Sequence, residues 1–220
     1  MLVIAIDGAC RRNGKPDCTS SGGVFVSQYV EGFGVTSTKV MSTYEYNSTN
    51  QRGEMLALLM SLEFVKAVKE EAQIITDSEY LFNTMTKEWY RSWANNDWLT
   101  SSGNPVKNKD LWQKIVGVVD SLETEVHFFH IKGHCMPFGR VTADKLLESD
   151  RSGGMLFKSM KEKYEAVKAS KVDTLKAAQE LSERNNGFEL LPDTLKRFVV
   201  ANTMADAIAT KAVEAADRER

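Results

Sequence analysis

Three carboxylates lie where the sequence pattern predicts the end of a strand or the start of a helix. Asp7 ends the apolar run at the N-terminus, Asp77 follows a short apolar run, and Glu54 opens an amphipathic stretch. If the two strands are neighbours in a sheet, all three carboxylates meet at one edge of it. Unpaired carboxylates that lie together repel one another unless a cation binds them. Oxygen ligands alone favour Mg²⁺ or Mn²⁺, and paired ions of this kind support hydrolysis of phosphodiesters.

Each acid also has a purely structural explanation. Asp77 could cap the following helix, and Glu54, which we place in the first turn of its helix, could favour the positive helix end. For any one acid taken alone, the structural explanation is a strong alternative to a metal-binding role. The three acids together favour a metal site.

The composition limits the class of protein. The chain has 220 residues, 42% of them hydrophobic, which suits one domain, or one domain with an elaboration. A net charge of −2 gives no argument for nucleic acid and does not exclude it. The cysteines Cys10, Cys18 and Cys135 predict a reducing compartment, with neither a disulfide framework nor a zinc site. Because the N-terminal segment is a predicted strand and no apolar run is long enough to span a membrane, we expect a cytoplasmic protein.

The predicted elements position the acids. Residues 2–9, 23–30 and 34–40 are expected to form an antiparallel meander, with a loop at 11–23 and a hairpin at 31–33. A helix capped by Thr49 or Asn50 continues to about Glu70. The second half is predicted to contain a strand ending before Asp77, helices at 80–86, around 89–93 and at 108–119, a strand at 126–131, and a last helix to about 216.

Five short motifs occur in one order along the chain. They are Asp-Gly-Ala-Cys-Arg-Arg-Asn-Gly at 7–14, Ser-Thr-Asn-Gln-Arg-Gly-Glu-Met at 48–55, Thr-Asp-Ser-Glu-Tyr at 76–80, Asn-Pro-Val-Lys-Asn-Lys-Asp-Leu-Trp at 104–112 and His-Ile-Lys-Gly-His at 130–134. With these motifs in this order, the chain resembles members of the type 1 ribonuclease H family. Any one motif is weak, but five collinear motifs are specific. The resemblance covers residues 1–134 and the C-terminal helix.

The resemblance implies a fold and an activity. The fold is α/β, an RNase H-like five-stranded mixed sheet flanked by helices, here with a helical hairpin insertion. The implied activity is that of an endonuclease, which cuts the RNA strand of RNA–DNA hybrids with two Mg²⁺ ions. Mn²⁺ can substitute for Mg²⁺, and we expect the protein to be a monomer. Two alternatives remain open: a non-catalytic nucleic-acid-binding module on the same fold, and a related two-metal DNA nuclease.

The resemblance also assigns roles to residues. Asp7, Glu54 and Asp77 would bind the metal ions, and Glu54 could help to select the RNA strand through its 2′-hydroxyl. His134, on a mobile loop, would assist proton transfer or product release; an ordinary loop histidine is the alternative. The predicted substrate-binding residues are Cys10, Asn13, Asn50, Gln51 and Asn108.

The segment with Trp89, Trp93 and Trp98 corresponds to the basic protrusion of the family, which grips the DNA strand. Here the sequence is Asn-Asn-Asp at 95–97, where the family is usually rich in Lys and Arg. Because phosphate contacts dominate affinity, we expect weaker and more salt-sensitive hybrid binding. We expect the tryptophans to pack in the core and not to stack on bases.

Two residues compete for the place of a fourth carboxylate. Asp206 lies in Asn-Thr-Met-Ala-Asp-Ala-Ile-Ala at 202–209, which has the Asn of the family motif and begins a long amphipathic run. Asp144 lies closer to His134, as is usual in the family, but its segment has Arg140 at the Asn position. We favour Asp206. The predicted organisation is then a core at 1–137, a helical insertion at 138–200 and a C-terminal helix at 201–220; with Asp144, the helices would be an appendage.

The insertion is predicted to be a helical hairpin in which residues 156–181 pack against Phe188, Leu191, Leu195 and Phe198. We favour a solvated structural elaboration. The alternative is a clamp on the substrate, carried by Lys158, Lys161, Lys163, Lys168 and Lys171.

Overall fold

Five strands form one mixed sheet in the computed structural model, which describes residues 1–30, 34–131 and 192–219. The strands are β1 (Leu2–Arg11), β2 (Thr19–Val30), β3 (Gly34–Tyr46), β4 (Ala72–Thr76) and β5 (Val126–His130), in the spatial order β3-β2-β1-β4-β5. The first three pair antiparallel, and β4 and β5 add parallel strands beside β1. The predicted five-stranded mixed sheet is confirmed.

Helices cover both faces of this sheet. They are α1 (Asn50–Val68), α2 (Glu79–Thr86), α3 (Trp89–Ala94), α4 (Lys109–Val119) and α5 (Pro192–Arg218). Alternate residues of β1 point to opposite faces: Ile4 and Ile6 join the core under α1 and α4, while Val3 and Ala5 join the core under α5. The apolar run at the N-terminus is therefore the centre of the molecule. In the part of the chain that the structure describes, no helix could cross a membrane.

Two adjacent glycines in β2 allow a helix to approach closely on each face. A Cβ atom on Gly22 would lie 2.7 Å from the carbonyl oxygen of Gly53 in α1, and one on Gly23 would lie 2.4 Å from the backbone of Ala205 and Ala209 in α5. We predicted a loop for residues 11–23, but β2 already begins at Thr19. Here glycine permits close packing and does not mark a turn.

Other boundaries also differ from the predictions. β3 continues to Tyr46, beyond the predicted end at 40. Glu54 is the fifth residue of α1 and so lies in its second turn. Helix α5 begins at Pro192, so the predicted boundary between 200 and 201 falls inside a continuous helix. Phe198, assigned by sequence to the hairpin, is fully buried in the sheet core, with its ring centroid 5.1 Å from that of Phe129. Leu195, also assigned to the hairpin, lies in α5 as well. The other residues of the predicted hairpin, 156–181 with Phe188 and Leu191, lie outside the described residues.

A disulfide bond joins Cys10 to Cys18, with the two Cα atoms 6.6 Å apart. The sequence led us to expect no disulfide, because three cysteines without a paired spacing gave no sign of one. The bond forms because β1 and β2 run antiparallel: Cys10 pairs with Ser20, and Cys18 lies just before β2 on the returning chain. The bond closes the loop that carries Asn13.

Candidate active site

Two parallel strands bring Asp7 and Asp77 to the same edge of the sheet. In the β1–β4 ladder Leu2 pairs with Ala72 and Ala5 with Ile75, so the same register continued places Asp7 beside Asp77. Both follow the buried parts of their strands, at the carboxyl ends where open α/β sheets bind ligands. Asp7 is only 8% exposed. The juxtaposition predicted from sequence is therefore present.

Glu54 reaches this edge from α1. A Cβ atom on Gly8 would lie 2.6 Å from the backbone nitrogen of Glu54, so the helix is pressed against β1 next to Asp7. The Glu54 carboxylate accepts hydrogen bonds from Nδ2 of Asn50, at 3.1 Å, and from the hydroxyl of Ser78. Ser78 directly follows Asp77, so it ties the carboxylate of α1 to the end of β4. The sequence identified the acid but not this hydroxyl.

Asp206 supplies a fourth acid from α5. Its charge is close enough to raise the pKa of Asp7. The neighbouring Ala205 lies against Gly23 of β2, and that close contact fixes the helix over β1 and β2. The alternative residue, Asp144, lies outside the described residues, as does His134. Of the predicted acids that the structure describes, Asp7, Glu54, Asp77 and Asp206 come from four different elements.

Two of the acids, Asp7 and Glu54, have raised pKa values. Burial, followed by the charges of Asp77 and Asp206, raises the pKa of Asp7 well above its usual value, although the N–H of Gly8 donates to its carboxylate at 2.7 Å. Burial and the charge of Asp77 raise the pKa of Glu54 to about 7. Both shifts mean that the ionised cluster is unfavourable by itself. A bound cation would reverse this effect, and the all-oxygen donor set fits a hard divalent ion.

A polar cleft adjoins the acids. It has a volume of about 580 Å³ and is lined by Asn13, Thr49, Asn50, Gln51, Glu54, Lys107 and Asn108. The predicted substrate-binding residues Asn13, Asn50, Gln51 and Asn108 are all among them. Nδ2 of Asn108 donates to Oε1 of Gln51 at 3.1 Å, so α4 and α1 present their amides together. The sequence did not single out Thr49 or Lys107 as lining residues.

Cys10 does not share this cleft. Its sulfur is bonded to Cys18, and it is not among the described residues that line the cleft. The thiol of Cys10 is thus not free, and its predicted contact with substrate stays a prediction. The loop that the disulfide closes does place Asn13 in the cleft.

An ion-pair network beside the cleft joins α1, β3 and α4. The sequence did not reveal this network. The guanidinium of Arg52 in α1 binds Glu45 of β3 at 2.7 and 2.8 Å and Asp110 of α4 at 2.8 and 2.9 Å. The hydroxyl of Ser48 donates to Glu45 at 2.6 Å. These hydrogen bonds raise the pKa of Arg52 and lower the pKa of both carboxylates. Partners so far apart in sequence cannot be paired without the fold.

The tryptophan segment packs largely as predicted. The ring of Trp93 lies edge-on to that of the buried Trp112, with centroids 5.7 Å apart, and Trp98 also packs against this core. Trp89 differs, because it is 37% exposed and the ammonium of Lys87 lies 5.5 Å from its ring centroid. Trp89 therefore has a face open to solvent.

His130 lies close to the acids. His130 is buried at the end of β5, and its Nε2 lies 3.2 Å from the carbonyl oxygen of Asp77. Its ring also stacks near Phe82. His130 belongs to the predicted motif at 130–134, but no role was predicted for it. Its contact holds the backbone that carries Asp77.

Comparisons with known proteins agree with this geometry. A family model described as RNase H matches residues 1–152. The chain is 36% identical over 154 residues to a ribonuclease HI of Rickettsia prowazekii, covering 70% of this chain and 93% of that one. It is 37% identical over 135 residues to a ribonuclease H of Chlorobaculum parvum, covering 60% and 83% respectively.

Solved structures resemble the fold. LC9-RNase H1, described as a type 1 RNase H with the type 2 active-site motif, has a TM-score of 0.51 at 25% identity and covers 61% of this chain and 64% of its own. The solution structure of the PFV RNase H domain has a TM-score of 0.58 at 16% identity and covers 97% and 94%. The family match ends at residue 152 and thus includes Asp144 but not Asp206, whereas the geometry brings Asp206 to Asp7.

Proposed function

The chain belongs to the ribonuclease H family, and we propose that it performs the family reaction with two Mg²⁺ ions bound by Asp7, Glu54, Asp77 and Asp206. It is an endonuclease that hydrolyses the RNA strand of RNA–DNA hybrids, and it uses divalent metal ions. The identity of the ions as Mg²⁺, their number and the residues that bind them are the proposal. Mn²⁺, which accepts the same oxygen ligands, is expected to substitute.

One observation carries this proposal: carboxylates from β1, α1, α5 and the residue after β4 come together at one sheet edge, and burial together with mutual repulsion raises the pKa of Asp7. An arrangement that destabilises its own charges is typical of a site built for a ligand. Bound ions there would activate a water and stabilise the leaving oxygen of a phosphodiester. The protein supplies the fixed positions of the four carboxylates.

The acids have unequal surroundings, which suggests different roles. Asp7 is buried, and the charges of the other three acids all raise its pKa. Glu54 lies at the boundary between the acids and the amide cleft, held by Asn50 and Ser78. A carboxylate in that place can bind metal on one side and meet the 2′-hydroxyl of the RNA strand on the other. His134 is proposed to assist proton transfer or product release.

The cleft is the proposed minor-groove site. Asn13, Asn50, Gln51 and Asn108 provide amide donors and acceptors, which suit base edges and sugar hydroxyls. Lys107, the one cation among the described residues that line the cleft, is placed to meet a phosphate. We further propose that the protein acts as a cytoplasmic monomer; gel filtration with light scattering checks the oligomeric state.

Cleavage of labelled substrates tests the assignment. RNA–DNA hybrid, double-stranded RNA and double-stranded DNA are each incubated with Mg²⁺ and with a chelator. We expect cleavage of the RNA in the hybrid alone, and only with the metal. Binding of hybrid without cleavage would favour the non-catalytic module, and cleavage of DNA would favour the DNA nuclease.

The same assay identifies the fourth ligand. Asp206→Asn and Asp144→Asn are compared with Glu123→Gln, a matched control that removes an exposed carboxylate paired only with Lys69 among the described contacts. We expect Asp206→Asn to lose most of its activity and the other two variants to keep theirs. Loss in Asp144→Asn with retention in Asp206→Asn would transfer the role to Asp144.

A further inference from the structure

Two glutamates and a histidine lie together at the end of the sheet opposite to the active site. Glu71 precedes β4, Glu125 precedes β5, and His127 is the second residue of β5. A strand rises about 3.3 Å per residue, so the six steps from Glu71 to Asp77 span roughly 20 Å. This group, which we call the strand-start cluster, is therefore separate from the catalytic acids.

The backbone fixes the cluster. In the parallel β4–β5 ladder Ala72 pairs with Val126, so Glu71 stands beside Glu125, and the N–H of Ala72 donates to the carbonyl of Glu125 at 3.2 Å. Residues two apart on a strand share a face, which puts His127 on the same side as Glu125. The three side chains thus converge because of the register and not because of flexible loops.

The distances fit one metal ion. Nε2 of His127 lies 3.5 Å from Oε1 of Glu71 and 3.5 Å from Oε2 of Glu125, and the three ligand atoms all lie within 4.8 Å of one another. Zinc binds nitrogen and carboxylate oxygen at about 2.0–2.2 Å in a tetrahedron, which separates two ligands by about 3.4 Å. The two distances from His127 therefore match the spacing of tetrahedral zinc ligands, and the two carboxylates lie within 4.8 Å of each other.

The surroundings leave room for a fourth ligand. A cavity of about 740 Å³ is lined in part by Glu71, His127 and Thr124. The hydroxyl oxygen of Thr124 is buried and has no hydrogen-bond partner. A water on a bound ion could supply the missing partner, because catalytic and open zinc sites keep one position for water.

We propose that Glu71, Glu125 and His127 bind one transition-metal ion of the zinc type. The ion would join the start of β4 to the start of the edge strand β5. Imidazole nitrogen favours Zn²⁺, Co²⁺ and Ni²⁺, whereas Mg²⁺ prefers oxygen ligands alone. An ion that binds only the folded chain stabilises it by mass action. The site is structural and does not depend on the proposed catalytic metals.

Zinc titration followed by NMR of the imidazoles tests this. The full chain carries Asp7→Asn to weaken the catalytic site, and its three histidines are few enough to resolve, with His127→Gln assigning one signal. We expect zinc to shift the His127 resonances with one-to-one stoichiometry and to raise the melting temperature, and Mg²⁺ to do neither.

Matched variants decide whether the cluster is the ligand set. His127→Gln and Glu125→Gln should each weaken zinc binding about tenfold or more, whereas Glu123→Gln should leave it unchanged. The site would be overturned if zinc bound His127→Gln as tightly as the native chain, or if the His127 resonances did not move. Only a close contact between an imidazole and two carboxylates would then remain. Hybrid cleavage by the chain with native Asp7 should be unaffected by His127→Gln, which keeps this test independent of the catalytic assignment.

Discussion

Arg52 of α1 and Glu45 of β3 form a two-point ion pair, with nitrogen–oxygen distances of 2.7 and 2.8 Å. The remaining guanidinium donors reach Asp110 of α4. Arg52 directly follows Gln51, and Asp110 lies two residues after Asn108, so the network holds together the two elements that form the amide cleft. The guanidinium of Arg52 is planar and carries several N–H donors, which allows this one side chain to join α1, β3 and α4.

We predict that Arg52→Lys lowers the free energy of unfolding by about 1–3 kcal/mol, because a single ammonium cannot replace four charge-assisted hydrogen bonds. It should also raise KM for hybrid more than it lowers kcat, since the cleft loosens while the acids remain. Urea unfolding and steady-state cleavage measure the two effects. Arg91→Lys, at an exposed pair with Glu88 and Asp120, is the control and should leave the free energy of unfolding nearly unchanged. Equal effects of the two substitutions would refute the role of the network.

Removing a charge from the acid cluster should stabilise the metal-free protein. The pKa of Asp7 is raised in the folded state, so ionised Asp7 opposes folding at pH values above that pKa. Asp7→Asn should therefore raise the melting temperature at pH 8 in chelator while abolishing cleavage. With Mg²⁺ the ranking should reverse, because the native cluster gains a ligand. A lower melting temperature for Asp7→Asn in chelator would contradict the electrostatic account.

The pH dependence of stability should reveal Glu54. Its pKa is raised to about 7, above the unfolded value, so the folded state binds the proton more tightly. That contribution to stability is present at low pH and is lost as the pH rises through about 7. Thermal melts between pH 6 and 8 in chelator should show falling stability, and Glu54→Gln should flatten the slope. An unchanged slope in Glu54→Gln would assign the titration to another group.

Packing through the paired glycines is also testable. Gly23→Ala would place a Cβ atom 2.4 Å from the backbone of α5, so we expect a loss of about 1–3 kcal/mol as the helix is displaced. Gly117→Ala in α4 is the matched control: a Cβ there meets nothing within 4 Å, and alanine favours helix by about 1 kcal/mol. Denaturant unfolding should show opposite signs for the two. Similar destabilisation by both substitutions would mean that the close approach of α5 to Gly23 does not determine the loss of stability.

The sequence predicted those features that arise from local pattern. The apolar run before Asp7, the cap of α1 at Thr49 and the amphipathic α4 were all visible, and the ordered motifs indicated the family. Features that depend on how separate elements meet were not visible. The disulfide from Cys10 needs the antiparallel register of β1 and β2, although Cys18 is only 8 residues away. The network around Arg52 and the strand-start cluster need elements that meet only in the fold.

The glycines of β2 illustrate the same limit. Gly22 and Gly23 have the local signature of a loop, and only the approach of α1 and α5 from opposite faces explains them as strand residues. Asp206 is a similar case: its motif was recognisable, but its proximity to Asp7 follows from the packing of α5 across the sheet.

The rate of RNA cleavage in a hybrid by Asp77→Asn, with saturating Mg²⁺ and folding checked by circular dichroism, tests the central claim most directly. The carboxylates are proposed to act as one unit around the metal ions, so losing one should lower kcat by about a thousandfold or more, while Glu123→Gln keeps the native rate. If Asp77→Asn cleaves within about tenfold of the native rate, the acids at this edge of the sheet do not form the catalytic metal site.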